Sequence, residues 1–424
     1  MMVYALLIAA LVIGVPVAFA IVVALVYFMA TGEFPYHIRI VATQMFGGLN
    51  SYPLLAIPLF ILAGELMNES GITRRIIAFA SFLVGRMRAG LALVNIWASV
   101  IFAGLSGSAI ADSSALGRIF IPEMERRGYP RDFSAALTAA SSVIGPIIPP
   151  SIPVIIYALT VTGVSVPAMF LAGVVPGLIL AVFLSAYVMI VAGDYARGTD
   201  DEDHGPAWKI VLEAVIPLLM PVFVVGTILA GVVTPTEAAS FAVACALFIG
   251  LFVYRQIKPG RLPGVFARAM RDAAVIMIII AAVAAANWLL TYNRVPNMIS
   301  DFVLLYVDAQ WTFLLAVIIL FLLVGLFLEG IAAMLVLVPI LHPIAVSLGI
   351  DPTHFGIIVI FNLMIGLITP PIGLCLFVVE NVAQVGMAKI IARILPFFLV
   401  EVAVLLLITF VPQTVTFLPN LFGL

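Results

Sequence analysis

The chain has 424 residues, of which 64% are hydrophobic and only 9% are Asp, Glu, Lys or Arg, and its mean hydropathy is +1.28. Soluble proteins are about 45–50% apolar and about 25% charged, so this composition excludes a soluble enzyme, a nucleic-acid-binding protein and a disordered protein. The formal net charge of −2 offers no field that would attract a polyanion. The chain is therefore predicted to lie mostly in lipid.

Apolar segments long enough to cross a bilayer recur along the whole chain. The first one has no Lys or Arg ahead of it and continues about ten residues beyond Ala18-Phe19-Ala20, which resembles a signal-peptidase site. It therefore predicts an uncleaved span and not a signal peptide. The predicted spans are residues 2–30, 53–69, 131–164, 167–192, 210–231, 238–254, 271–292, 353–385 and 392–412.

Two further apolar stretches, about 90–127 and 311–347, are too long for one span and are interrupted near the middle. The interruption is Gly104–Ser108 in the first, and Gly325, Glu329 and Gly330 in the second. Both stretches predict re-entrant helical hairpins whose tips reach the middle of the membrane.

Paired prolines interrupt two of the predicted spans. The segments SVIGPIIPPSI, from Ser142, and GLITPPIG, from Gly366, each place two adjacent prolines inside an apolar run. Proline removes a backbone donor and clashes with the preceding turn, so a continuous helix does not pass through either segment. Each predicts a broken transmembrane helix.

The four interruptions are related by an internal duplication. A shift of 221 residues aligns 104–150 with 325–371 without a gap, and 13 of the 47 aligned positions are identical. Composition alone would give roughly four identities. The unit that is repeated is a hairpin followed by a broken helix, and an acidic stretch containing Asp194, Asp200, Asp201, Glu202 and Asp203 separates the two copies.

The distribution of basic residues predicts how the copies are oriented. When the predicted spans are threaded alternately, sixteen Lys and Arg residues fall on one side and only Arg39 and Arg294 on the other. The basic side is expected in the cytoplasm. The first hairpin then opens inward and the second outward, so the fold class predicted is an all-α polytopic membrane protein with an inverted repeat.

This organisation predicts five regions. They are N-terminal scaffold helices (1–89), a first transport repeat (90–166), linking scaffold helices with a cytoplasmic loop at 193–209 (167–310), a second transport repeat (311–391) and a C-terminal scaffold helix (392–424).

Non-helical chain at membrane depth is tolerated only where it is buried in protein or lines a cavity. Broken helices expose carbonyl groups at one end and N–H groups at the other, which suits a cation and an anion side by side. Carbonyl and hydroxyl oxygens beside glycine suit a dehydrated alkali cation. The candidate sodium ligands are Ser106, Gly145, Ile148 and Ser151 in one cage and Gly325, Phe327, Gly366, Thr369 and Ile372 in a second.

Sodium is favoured over a proton as the coupling ion, because a proton relay would place several carboxylates or histidines at the breaks. Each of these Gly and Ser residues also fits simple tight packing between helices. The coincidence of four breaks favours the cation interpretation for the set.

Charged residues in apolar surroundings are candidates for function. Asp112 and Arg118 lie six residues apart in the first hairpin, whereas the duplication places Ala333 and Pro339 at the matching positions. This asymmetry suits contact with a polar solute, although a structural pair or an Arg that reaches the membrane surface fits as well. The candidate solute contacts are Ser108, Asp112, Arg118, Pro150 and Asn287.

Other polar residues in the apolar runs are Glu65, Glu237, Glu329 and Asn287. Glu237 follows Thr234-Pro235-Thr236, so it favours a structural role at a helix N-terminus. The Asn287 amide fits a solute contact or a hydrogen bond to a neighbouring helix equally well. No motif for hydrolysis, phosphate binding or redox chemistry is present, and Cys245 and Cys375 read as packing residues. We expect no enzymatic activity and no cofactor apart from the coupling ion.

Five motifs in order resemble the large membrane subunit of tripartite ATP-independent periplasmic (TRAP) transporters, and the similarity covers nearly the whole chain. The motifs are FAGLSGSAIAD (102–112), IFIPEM (119–124) with Gly128-Tyr129, SVIGPIIPPSI (142–152), TPTEA (234–238) and GLITPPIG (366–373).

This resemblance implies a sodium-coupled importer of an organic acid such as a C4-dicarboxylate, a sialic acid or a sugar acid. Such a subunit works in the bacterial inner membrane with a small four-helix membrane subunit and a periplasmic binding protein, and it moves as an elevator. The family's sodium sites lie at the hairpin tips and broken helices, and its solute site near Ser108 and Asp112. Arg118 stands where the family pattern has a smaller residue. No small-subunit segment precedes the first span, so we expect that partner to be a separate chain.

Two alternatives are open at this stage. A stand-alone sodium/dicarboxylate symporter or a cation exchanger with similar hairpins would transport without a binding protein. A channel or a non-transporting assembly subunit would explain the hydrophobicity but not four paired breaks at one depth.

Overall fold

A computed structural model describes residues 6, 9–10, 13–31, 38–193, 195, 207–307 and 309–424. Within these residues the chain is helical and contains no strand. The helices are α1 (Val17–Thr31), α2 (Ile38–Leu49), α3 (Ala56–Glu69), α4 (Ile72–Val84), α5 (Gly90–Ser106), α6 (Ala109–Arg126), α7 (Arg131–Ser142), α8 (Ile152–Thr160), α9 (Val166–Val191), α10 (Ala207–Leu229), α11 (Pro235–Phe248), α12 (Leu262–Tyr292), α13 (Val295–Tyr306), α14 (Gln310–Gly325), α15 (Gly330–Ser347), α16 (Pro352–Gly366), α17 (Leu374–Ala383), α18 (Met387–Phe410) and α19 (Gln413–Leu421).

Six helical segments in the described part are long and apolar enough to cross a membrane, and a seventh span would be a bent pair. The pair joins Arg39–Leu49 to Tyr52–Glu69 at an angle of 69°. The prediction of an all-α polytopic membrane protein is confirmed. The early part of the predicted first span and most of the predicted acidic loop, including its five acidic residues, lie outside the described residues.

Two helical hairpins are present where the sequence predicts them. Hairpin 1 consists of α5 and α6, and hairpin 2 consists of α14 and α15. At each tip a side chain caps the second arm: the Ser108 hydroxyl accepts from the Ala111 N–H at 3.4 Å, and Glu329 Oε2 accepts from the Ala332 N–H at 3.0 Å. These bonds satisfy backbone donors that a helix start leaves open.

Two broken helices follow the hairpins. Broken helix 1 consists of α7 and α8, and broken helix 2 consists of α16 and α17. The Pro149-Pro150 and Pro370-Pro371 peptide bonds, both cis, lie in the two breaks. In the first break the Ser151 hydroxyl donates to the Pro146 carbonyl and accepts from the Val154 N–H at 3.3 Å, which starts α8.

The helix bounds follow the duplication seen in the sequence. A shift of 221 residues places α6 (Ala109–Arg126) on α15 (Gly330–Ser347) with the same first and last positions. The packing is reciprocal as well, because α6 contacts α17 and α15 contacts α8. The second helix of each hairpin therefore lies against the broken helix of the other copy.

The remaining helices divide by what they pack against. Helices α9 and α18 contact both broken helices, and α19 packs on α9. Helices α1 to α4 and α10 to α12 pack mainly among themselves, with α4 against α5 and α12 against α15 as the main links to the hairpins. By their contacts, α9 and α18 belong with the two repeats. The regions predicted from the sequence assign α9 (within 167–310) and most of α18 (within 392–424) to the scaffold.

Candidate transport site

A cavity of about 800 Å³ lies where the two hairpin tips and the two broken helices meet. Ser106, Gly107 and Ser108 line it from hairpin 1, and Glu329 and Gly330 line it from hairpin 2. Helices α3 and α12 close the other side. The charged residues of the cavity wall are Glu65, Glu69, Arg118, Arg268, Asp272 and Glu329. A volume of this size suits a small organic solute.

Two candidates of the first cage, Ser106 and Gly145, meet at Asp112. The Ser106 hydroxyl, at the end of α5, donates to Asp112 Oδ1, in the first turn of α6. Asp112 is fully buried, and its Oδ2 has no hydrogen-bond partner in the described part of the chain. That oxygen points at Gly145: a Cβ on Gly145 would lie 2.2 Å from it. The fold therefore brings together a carboxylate, a hydroxyl and a glycine in the break of broken helix 1.

The other two candidates of this cage are placed differently. The Ile148 side chain packs on Gly177 of α9, where an added Cβ would meet it at 2.4 Å, so only its carbonyl is left for an ion. Ser151 is occupied as the cap of α8. The tip of hairpin 1 reaches the same break, because a Cβ on Gly107 would lie 2.7 Å from the Pro150 carbonyl oxygen.

Two candidates of the second cage are also in contact. Gly325 ends α14 and lies against Gly366, the last residue of α16. The Thr369 hydroxyl, in the break, donates to the Ile365 carbonyl at 2.7 Å. The side chains of Phe327 and Ile372 are exposed, so their backbone carbonyls are the only groups with which these residues could bind an ion.

The candidate solute contacts fall into two groups. Ser108 and Arg118 line the cavity, and Arg118 is exposed and forms no ion pair with any described residue. Asp112, Pro150 and Asn287 are not part of the cavity wall. The Asn287 amide donates to the Leu335 carbonyl of α15 at 3.2 Å, so it links α12 to hairpin 2.

Ion pairs hold the opposite wall of the cavity together. Arg268 Nε of α12 lies 3.0 Å from Glu65 Oε2 of α3, and Arg261 Nη1 lies 3.1 Å from Glu69 Oε1. Sequence reasoning identified Glu65 as a charge in an apolar run but missed its partners and Asp272. The charged stretch Arg268–Asp272 could have indicated them. The predicted span 271–292 left out most of this stretch, although α12 begins at Leu262.

Polar residues outside the cavity have structural partners. Thr234 and Glu237 form a capping box at the start of α11: Glu237 Oε2 accepts from the Thr234 N–H at 2.8 Å, and the Glu237 N–H donates to Thr234 Oγ1 at 3.3 Å. His354 contacts the Ile408 carbonyl. Cys245 and Cys375 are free thiols. Among the described residues, no group of three His, Cys, Asp or Glu could hold a metal ion of the transition series.

Comparison with known proteins gives a consistent result. Residues 3–414 match the family model described as "Tripartite ATP-independent periplasmic transporter, DctM component". The sialic acid TRAP transporter large permease protein SiaM of Vibrio cholerae is 39% identical over 412 residues, which cover 96% of each chain. The C4-dicarboxylate TRAP transporter large permease protein DctM of Rhodobacter capsulatus is 34% identical, over 100% of this chain and 99% of the relative.

Among solved structures, the YdaH transporter of Alcanivorax borkumensis superimposes with a TM-score of 0.63 at 16% identity, over 90% of this chain and 89% of that one. This likeness concerns the fold. The family match and the two relatives cover nearly the whole chain, so the chain belongs to the large permease subunit (DctM) family of TRAP transporters.

Proposed function

We propose that this chain is the sodium-coupled permease subunit that imports an organic acid through the bacterial inner membrane by an elevator movement. The observation that carries the proposal is the cavity between the hairpin tips, whose wall contains the guanidinium of Arg118, which forms no ion pair with any described residue. An Arg fork binds a carboxylate through two parallel hydrogen bonds. The relatives named for sialic acid and C4-dicarboxylates both act on solutes with that group.

Asp112 belongs with the cation in this proposal and not with the solute. Its carboxylate is buried and is not part of the cavity wall, and the oxygen that approaches Gly145 has no hydrogen-bond partner among the described residues. Leaving a buried carboxylate oxygen unpaired is costly, and a sodium ion between Asp112, Ser106 and the carbonyls of the break would remove that cost. Backbone carbonyls around Gly325, Gly366 and Thr369 would hold a second ion.

Coupling follows from the position of the cages. Each cage joins a hairpin tip to a break, and the same tips form the cavity wall. A bound ion would hold tip and break together and so complete the solute pocket. The solute would then bind the sodium-loaded form more tightly, and the reverse follows by linkage.

For the movement itself, we assign the two repeats together with α9 and α18 to the sliding unit. Helices α1 to α4 and α10 to α12 form the stationary scaffold, which a small four-helix subunit would extend. The repeats have opposite orientations in the membrane in this scheme. Members of the family work with a periplasmic binding protein, which would deliver the solute to the cavity.

The test is uptake by the reconstituted complex in proteoliposomes. With an inward sodium gradient and a loaded binding protein, we expect labelled organic acid to accumulate. Asp112→Asn and Ser106→Ala should raise the sodium concentration for half-maximal uptake at least about tenfold, which is about 1.4 kcal/mol. Ser185→Ala on α9, whose hydroxyl bonds only the Ala181 carbonyl, is the control.

Unchanged sodium dependence in both variants would overturn the cage assignment. Uptake at the full rate without the binding protein would favour a stand-alone symporter instead.

A further inference from the structure

Glu401 lies in the middle of α18 and is sealed from solvent. Neither of its carboxylate oxygens has a hydrogen-bond partner among the described residues. It interrupts the apolar sequence FFLVEVAVLLL, and the transport scheme above gives it no role. Burying an ionisable group inside a membrane helix costs free energy, so such a residue is a candidate for a function.

Among the described residues, no basic side chain forms an ion pair or a hydrogen bond with Glu401. Helix α18 packs against α7, α9, α16, α17 and α19. The nearest basic group on its own helix, Arg393, is about 12 Å away along the axis and pairs with Asp132 of α7 at 3.0 Å. On α16, His354 contacts the Ile408 carbonyl, two turns farther along α18. On α9, Tyr187 packs edge-on against Phe397.

Helix α17 connects Glu401 to the first cage, because it packs against α18 and also against α6, the helix that carries Asp112. Its Cys375 side chain is fully buried, and Glu401 and Asp112 both act electrostatically on the Cys375 thiol. We call this contact of α6, α17 and α18 the Cys375 junction. Among the described residues, each of the two acids has at least one oxygen without a hydrogen-bond partner.

An ionised carboxylate without a counter-ion or a hydrogen bond is strongly disfavoured in such an interior, so the group takes up a proton and becomes neutral. A metal ion at Glu401 would need several oxygen ligands, whereas among the described residues no polar group is within hydrogen-bond distance of either Glu401 oxygen. The proton is thus the ligand that this environment accepts.

We propose that Glu401 is a proton-binding site of the sliding unit, linked through the Cys375 junction to the cation cage at Asp112. The linkage rests on the proposed function, since it assumes sodium at Asp112. A positive charge arriving at one acid makes a positive charge at the other less favourable, so sodium binding would promote release of the Glu401 proton. By reciprocity, loss of that proton would strengthen sodium binding.

Infrared difference spectroscopy of the purified complex tests the proton site directly. At neutral pH without sodium, we expect Asp112→Asn to show the carbonyl stretch of a protonated carboxylic acid, and we expect Glu401→Gln or Glu401→Met added to Asp112→Asn to remove it. A band that survives both Glu401 substitutions in the Asp112→Asn background, or no band in Asp112→Asn itself, overturns the proposal. Size-exclusion elution identifies a variant that has failed to fold. Because Gln and Met differ in shape, the test can still be made with one of them if the other does not fold.

Proton release on sodium addition tests the linkage. In lightly buffered solution, sodium should release up to roughly one proton per chain from the unmodified protein and distinctly less from Glu401→Gln. Equal release from both refutes the linkage. Failure of the proposed function would look different, since sodium would then not drive uptake by the unmodified complex at all.

Discussion

Gly325 and Gly366 lie backbone to backbone where hairpin 2 meets broken helix 2. A Cβ on Gly325 would approach the Gly366 Cα to 3.2 Å, and a Cβ on Gly366 would approach the Gly325 Cα to 3.1 Å. Backbone atoms on both sides cannot rotate away as a flexible side chain can, so the contact tolerates no added atom without a shift of one segment. The tip and the break therefore behave as one packed unit.

Gly366→Ala should destabilise the protein by about 1–3 kcal/mol, because the two segments must separate to admit the methyl group. Thermal unfolding with and without sodium measures the effect, and we expect sodium to stabilise the variant less than the unmodified protein. Gly226→Ala on α10 is the matched control, since a Cβ there meets nothing within 4 Å. Equal melting temperatures for Gly366→Ala and the unmodified protein would contradict the packing argument.

Gly145→Ala should disable the first cage more specifically. The new methyl group would lie on Asp112 Oδ2 and displace the carboxylate. We expect the sodium concentration for half-maximal uptake to rise at least about tenfold. Gly117→Ala, in hairpin 1, is the control, because a Cβ there has only ordinary contacts with Ile121 and Thr138. An unchanged sodium concentration for half-maximal uptake in Gly145→Ala would mean that the ion binds elsewhere.

Arg118→Gln should weaken solute binding and leave the sodium sites intact. Loss of an exposed Arg–carboxylate contact predicts a KM for the organic acid that is about tenfold higher, with Arg118→Lys recovering only part of the affinity because an ammonium lacks the planar fork. Arg126→Gln at the end of the same helix is the control. If the KM stays constant while the protein loses stability, Arg118 has a structural role.

Thr234→Ala should lower stability without changing transport. The capping box at α11 lies away from the cavity, and loss of a Thr cap costs about 1 kcal/mol. Thr227→Ala on α10 is the comparison, since its hydroxyl bonds only carbonyls of its own helix. A change in KM or in sodium dependence for Thr234→Ala would contradict the assignment.

The backbone interruptions could be predicted from sequence because glycine and proline act locally. Gly107, with a left-handed φ of 60°, ends α5, and the two Pro-Pro pairs lie in the breaks that follow α7 and α16. The duplication gave each interruption a second observation. The Thr234–Glu237 cap is equally local. For these elements, the residues that decide the conformation are neighbours in the chain.

The assembly of the site was not predictable in the same way, because it depends on contacts between distant segments. Asp112, a candidate solute contact, accepts a hydrogen bond from Ser106 and approaches Gly145, which lies in another segment. Arg268 finds Glu65 about two hundred positions away, and the packing of α18 on both broken helices has no local signature. Glu401 interrupts an apolar run, as Glu65 does, but the lack of any partner for its carboxylate among the described residues appears only once its neighbours are placed.

The paired charges between α3 and α12 have a mechanical consequence. Arg268 of α12 and Arg261, just before α12, each pair with an acidic residue of α3, so two ion pairs connect this wall of the cavity. The hairpin tips form the facing wall. If the hairpins slide as proposed above, a crosslink between the Arg118 face of hairpin 1 and α12 would hold the cavity at one width and stop uptake.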